Sequence, residues 1–88
     1  MGSGPRAVRI RLFASAREAV GAGVVDLGVP ARGLAADALV ARLGATYPRL
    51  RAILRTARFV RNGEYLTNLD ARIRPGYEFA VHPPYGGG

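Results

Sequence analysis

From Ala7 to Phe13 apolar and polar positions alternate, with Val8, Ile10 and Leu12 on one face and Arg9, Arg11 and Phe13 on the other. A period of two predicts a half-buried strand. Ser15, with Glu18 three residues on, has capping-box spacing and predicts a short helical turn through Ala19. Gly21 and Gly23 then break it. Val24, Val25, Leu27 and Val29 predict a second strand that ends at Pro30. The period changes over Leu34 to Ala45. Leu39 and Leu43 lie four apart with Ala35, Ala36 and Val40 between and beside them, which predicts the main helix. Asp37 in its first turn complements the helix dipole. Gly44 and Pro48 predict its end, and Leu50, Ile53 and Leu54 a short apolar segment covering the core. Arg58 to Arg61 reads as a third strand entering an Asn62-Gly63 hairpin, with Tyr65-Leu66 as the brief return. Leu69 is expected to be buried ahead of an Arg74-Pro75-Gly76 turn. Tyr77, Phe79 and Val81 alternate with Glu78, Ala80 and His82 in a last strand.

Hairpin strands around one helix predict an α+β fold with the helix on one face of the sheet. The first and last strands, the most apolar, are expected to be central neighbours. Residues 1–6 read as a flexible leader or cloning scar, 7–82 as one domain, and 83–88 as a flexible tail. That tail is Pro83-Pro84-Tyr85-Gly86-Gly87-Gly88. Two successive prolines remove two backbone donors, so strand pairing must stop there. At full extension six residues reach on the order of 20 Å. A tail without β-carbons can thread a channel that bulkier chain would block. Such geometry suits a C-terminal carboxylate that is itself the reacting group.

Composition narrows the function classes. Eighty-eight residues allow one small core, and 49% apolar with 22% charged residues is ordinary globular usage. The absence of cysteine excludes a disulfide framework, a thiolate-held zinc or iron–sulfur site and a cysteine nucleophile. No metal site is expected. A cysteine-free chain without a secretory leader fits the cytoplasm, and no apolar run approaches the roughly 18 residues of a membrane span. The net charge is +7, and all thirteen basic residues are arginine. Without lysine, no side-chain amine can accept an isopeptide bond. Arg49, Arg51, Arg55, Arg58 and Arg61 fall within thirteen residues. Codon bias in a GC-rich genome explains them, as does a basic face for an acidic partner or nucleic acid. With only Tyr47 and Phe59 nearby and no nucleic-acid motif, the patch reads as solvated surface that helps docking. Nucleic acid is not the expected partner.

Four segments together resemble the ubiquitin-like β-grasp sulfur carriers of the MoaD/ThiS type, most closely the small subunits of molybdopterin synthase. They are Arg11-Leu12-Phe13-Ala14-Ser15-Ala16-Arg17-Glu18, Val60-Arg61-Asn62-Gly63, Arg74-Pro75-Gly76-Tyr77-Glu78, and the ending from Pro83 to Gly88. The resemblance spans about residues 7 to 88. It implies a β-grasp fold: a mixed sheet of four to five strands with one main helix packed on one face. It also implies a protein that is not catalytic alone and binds no cofactor. An activating enzyme of the ubiquitin type (MoeB/ThiF-like) would use ATP to adenylate the Gly88 carboxylate. A sulfurtransferase system would then convert it to a thiocarboxylate. The tail would enter a large synthase subunit (MoaE-like) and donate sulfur to a pterin precursor in molybdenum cofactor synthesis. Where the family often has an aromatic before the prolines this chain has His82. Gly86 stands where a small hydroxyl residue is usual, and Tyr85 where a smaller aliphatic is.

On that reading Gly88 reacts, and Gly87, Gly86, Tyr85, Pro84 and Pro83 thread and aim it. Phe13, outward by alternation, is a docking residue or else a core residue at a strand end. His82 lacks a carboxylate or serine at a recognisable spacing, so docking or simple exposure suits it better than catalysis. Arg17 and Glu18 read as a local surface pair. Other readings remain: a carrier for thiamine, cysteine or tRNA thiolation, a ubiquitin-like modifier joined through Gly88 to lysines elsewhere, or a small RNA-binding module.

Overall fold

The computed structural model describes residues 6–84. Strand β1 (Ala7–Leu12) buries Val8, Ile10 and Leu12 and turns Arg9 and Arg11 outward, as its alternation predicts. It pairs antiparallel with β2 (Val24–Gly28) and parallel with the last strand, β7 (Glu78–His82). Strand β4 (Arg58–Arg61) pairs antiparallel with the other side of β7, and β5 (Glu64–Tyr65) closes the edge. The five-stranded order is β2-β1-β7-β4-β5. The first and last strands are therefore central neighbours, as expected.

Helix α2 (Ala36–Thr46) packs Leu39 and Leu43, both fully buried, into a core with Ile10, Leu12, Leu50, Ile73, Phe79 and Val81. Phe59 and Phe79 stack within that core at 5.6 Å between ring centres. Removing a side chain such as Leu39 or Leu43 is expected to cost roughly 2–5 kcal/mol. The 3₁₀ turn Pro48–Leu50 and the short helix α3 (Arg51–Leu54) follow, and their Leu50 and Leu54 are buried as the sequence suggested.

Four local expectations are corrected. Helix α1 (Ala14–Val20) already contains Ser15, and no side chain caps it; its first bonds run from the Ala16 and Arg17 N–H groups to the Phe13 carbonyl. The capping box does not form. Leu34 is not helical, because Leu34–Ala35 is a strand, β3, paired antiparallel with β6 (Arg72–Ile73). That small sheet places the chain so that Ala36 and Asp37 donate their N–H groups to the Ala71 and Leu69 carbonyls, at 2.8 and 3.0 Å. Backbone satisfies the helix start where side-chain caps usually do. Leu69 thus serves through its carbonyl, and its side chain is exposed rather than buried. The helix also runs past Gly44 to Thr46, with Gly44 buried inside it.

Gly33 holds the small sheet against the body. Its φ is +79°, and a β-carbon there would fall well inside contact distance of the Ile73 carbonyl. Only glycine allows that approach.

Candidate functional site

The face of the sheet away from α2 is built by the outward residues of every strand. Register places Val24 beside Arg11, Asp26 beside Arg9, Arg9 beside Glu78, and Arg11 beside Ala80. On the other flank of β7, Val60 lies beside Ala80 and Tyr65 beside Val60. Phe13, Val24 and Tyr65, three of the large exposed apolar side chains, all stand on this face, at 41%, 42% and 59% exposure. Apolar exposure gathered on one face marks an interaction surface more than scattered residues would.

Phe13 lies one residue beyond the β1–β7 ladder, where its ring stacks on His82 at 4.5 Å between centres and 18° between planes. Tyr65 meets the same imidazole at 5.9 Å and 54°. The three rings converge at the end of β7, where Pro83 and Pro84 lead the chain away. Phe13 is outward, not a core residue, and His82 joins it to the root of the tail. Among the described residues no carboxylate or hydroxyl side chain bonds His82. Ala14 has φ 51°, a left-handed conformation that turns the chain sharply into α1 directly after Phe13.

Asn62 is more than a turn residue. It and Gly63 have φ 48° and 87°, as a two-residue hairpin requires. Its Oδ1 also accepts the Glu78 N–H at 2.9 Å, while its own N–H donates to the Glu78 carbonyl at 2.9 Å. The hairpin is thereby clamped to the strand that delivers the tail. Tyr65 and this clamp were missed in the sequence, although a two-residue loop fixes the register that puts Tyr65 opposite Val60 and so outward.

A groove of about 500 Å³ at the tail root is lined by Thr56, Arg58, Tyr65, His82, Pro83 and Pro84. A smaller one, about 180 Å³, continues past His82 to Phe13 and the Arg11–Glu78 pair. The expectations for Tyr85, Gly86, Gly87 and Gly88 lie outside the described residues. Among the described residues no cluster of three or more His, Asp or Glu could hold a metal, and no helix is long and apolar enough to cross a membrane. Arg17 and Glu18 are exposed on α1 and form no ion pair with each other.

The topology, a mixed five-stranded sheet with α2 packed on one face, is the ubiquitin-like β-grasp. The chain belongs to the ThiS family, whose pattern it matches over residues 10–88. It is 31% identical over 84 residues to a molybdopterin synthase sulfur carrier subunit of Chlamydomonas reinhardtii, covering 92% of this chain and 98% of that one. Among solved structures it resembles small archaeal modifier protein 1 of Haloferax volcanii, with a TM-score of 0.74 and 27% identity over 89% of this chain and 97% of that one. The fold also matches a chain from the complex of subunits 1 and 2 of molybdopterin-converting factor of Helicobacter pylori. There the TM-score is 0.65 and the identity 18%, over 93% of this chain and 99% of that one.

Proposed function

We propose that this chain carries sulfur for molybdopterin synthesis on the carboxylate of Gly88. A carboxylate resists nucleophiles because its own charge repels them. An activating enzyme of the ubiquitin type removes that obstacle by letting the carboxylate oxygen attack the α-phosphate of ATP, which expels pyrophosphate. A persulfide carried by a sulfurtransferase then attacks the acyl carbon of the adenylate and AMP leaves. A second thiol cleaves the S–S bond of the acyl disulfide so formed, which releases the thiocarboxylate and leaves a disulfide on the donor. The loaded tail enters a large synthase subunit, where a pterin precursor receives the sulfur. No catalytic side chain on the carrier is needed. Reach, thinness and docking are, and Gly86, Gly87 and Gly88 supply the thinness while Tyr85 is the first bulky contact. Pro83 and Pro84 give the exit its direction, and Phe13 and His82 meet the partner beside it.

The family match running through to Gly88 carries this reading. Intact mass after incubation with activating enzyme, ATP and a sulfur donor tests it. The expected gain is that of one sulfur replacing one oxygen at a chain ending in Gly88. Deleting Gly88 should abolish the gain and leave the melting temperature unchanged, since terminal tails add little stability. An unchanged mass of the full chain, or sulfur uptake without Gly88, overturns the proposal.

A second reading, a modifier joined through Gly88 to lysines of other proteins, is favoured by the likeness to small archaeal modifier protein 1. Because this chain has no lysine, such conjugates cannot be extended through its side chains. Adducts at lysines of other proteins, found by mass spectrometry when the sulfur donor is withheld, would distinguish it.

A further inference from the structure

The arginines of this chain divide by what they touch. Arg9 and Arg11 pair with Asp26 and Glu78 on the sheet face. Arg42, Arg61 and Arg72 donate to the carbonyls of Gly28, Arg72 and Gly33 and so brace the fold. Arg51 and Arg55 also face a cavity. They line a groove of about 490 Å³ between α2 and α3, whose other walls are Val40, Ala41, Gly44, Ala45 and Leu54. Arg51 is fixed there by its Nε, which donates to the Gly44 carbonyl at 3.2 Å. No acid occurs anywhere between residues 38 and 63, a stretch with six arginines. The nearest acid on α2, Asp37, lies two turns from Gly44 and does not line the groove.

We propose that this groove is a docking site for an acidic amphipathic helix of a partner protein. The apolar walls accept aliphatic side chains spaced i, i+4 and i+7, which span about 10 Å of helix. The two guanidinium groups accept carboxylates on the flanks of that helix, a pairing in which arginine's planar fork is favoured. The occupant is a helix because both walls are helical and offer no strand edge. An extended segment there would find no strand edge to pair with and would leave its backbone groups to water. Nucleic acid fits less well, because no aromatic side chain lines the groove to stack on a base. Leu54 and Arg55 also line the neighbouring groove, which in turn shares Arg58 and Tyr65 with the tail root. A partner that holds the tail can thus lay a second segment along continuous surface. The groove's chemistry stands whether or not Gly88 carries sulfur.

The test uses the full chain and a fluorescein-labelled synthetic peptide of about 15 residues, long enough for helix formation, with Leu along one face and Glu flanking it. Binding is followed by polarisation, and amide shifts are followed by NMR. The peptide should shift the amides of Val40, Ala41, Ala45 and Arg55, and Arg55→Glu should weaken it by on the order of tenfold or more. A control peptide with Lys in place of Glu should not bind. Arg55 is exposed, so its reversal leaves the fold intact, checked by the thermal melt. Phe13→Ala, on the opposite face, should leave peptide affinity unchanged. Shifts confined to Arg11, Phe13 and His82, or binding indifferent to Arg55→Glu, overturn the proposal. So does oligouridylate RNA bound more tightly than the peptide through the same arginines.

Discussion

On the open sheet face Arg9 and Arg11 stand 3.6 and 3.3 Å from Asp26 and Glu78, whereas Arg51 and Arg55 on the helical flank have no carboxylate partner among the described residues. The paired arginines are about half exposed, so each pair stabilises the fold by less than about 1 kcal/mol. Their larger consequence is local. They cancel charge beside Val24 and Phe13, so that this part of the face offers apolar and aromatic contact, while Arg58 keeps its charge beside Tyr65 and His82 at the tail root. The flank keeps its field, and apolar walls beneath it. One small domain thus offers two surfaces that differ in what drives binding, although both carry arginine.

The hardest test of that difference is Phe13→Asp. It puts a charge in the aromatic stack, and if the chain docks on a large synthase subunit as proposed, that docking should weaken by about 2 kcal/mol or more, on the order of 30-fold. The side chain is already 41% exposed, so the melting temperature should move little, while Phe13→Tyr should retain most of the affinity. Equal loss for Asp and Tyr would mean that a ring at this place is not enough and that the contact admits no polar group. Salt separates the two surfaces next. Going from about 0.1 M to about 1 M shortens the Debye length from about 10 Å to about 3 Å. Acidic-peptide binding at the flank should fall about tenfold, and docking at the sheet face by less than about twofold. Parallel losses by titration calorimetry would erase the distinction.

Asn62→Ala probes how firmly the sheet face is held together. It removes the acceptor for the Glu78 N–H and leaves a β-carbon without Asn's tolerance at φ 48°. A loss of about 1–2 kcal/mol is expected in denaturant unfolding. Faster hydrogen exchange should appear in β5 and β7, around Tyr65 and His82, and not in α2. Uniform loosening across both regions would show that the clamp acts on the whole fold.

Alternation in β1 and β7, and the Asn62-Gly63 turn, could be read directly because each is local and its period is set by backbone geometry. The small sheet β3–β6 could not. Leu34-Ala35 looks like the first turn of a helix, and only its pairing with Arg72–Ile73, far along the chain, makes it extended. Leu69 was misplaced for the same reason, since its carbonyl rather than its side chain has the structural task. Phe13 was legible as a candidate from its outward place in the alternation, and His82 from its position before Pro83. Their contact was not, because it depends on β1 and β7 being parallel neighbours in a particular register. The groove beside Arg51 was hidden more completely. In sequence its arginines merge with Arg49, Arg58 and Arg61 into one basic run, and the fold alone shows that Arg51 and Arg55 share a cavity.

Gly44 offers the finest test, because there the flank's shape and the fold's stability make opposite demands. It lies inside α2 without a left-handed φ, and glycine in a helix interior costs about 0.5–1 kcal/mol relative to alanine. An added β-carbon would meet Arg51 Cγ at 3.4 Å and Leu54 Cδ1 at 3.5 Å, close to ordinary contact. Gly44→Ala should therefore stabilise the protein by about 0.5–1 kcal/mol in urea unfolding. The same methyl group raises the floor of the groove beneath Arg51 and should weaken the acidic peptide by a few-fold, while docking at the sheet face is unchanged. Greater stability with undiminished peptide binding would place the peptide away from that floor. Lower stability would mean that the contacts with Arg51 and Leu54 cost more than the gain in helix propensity.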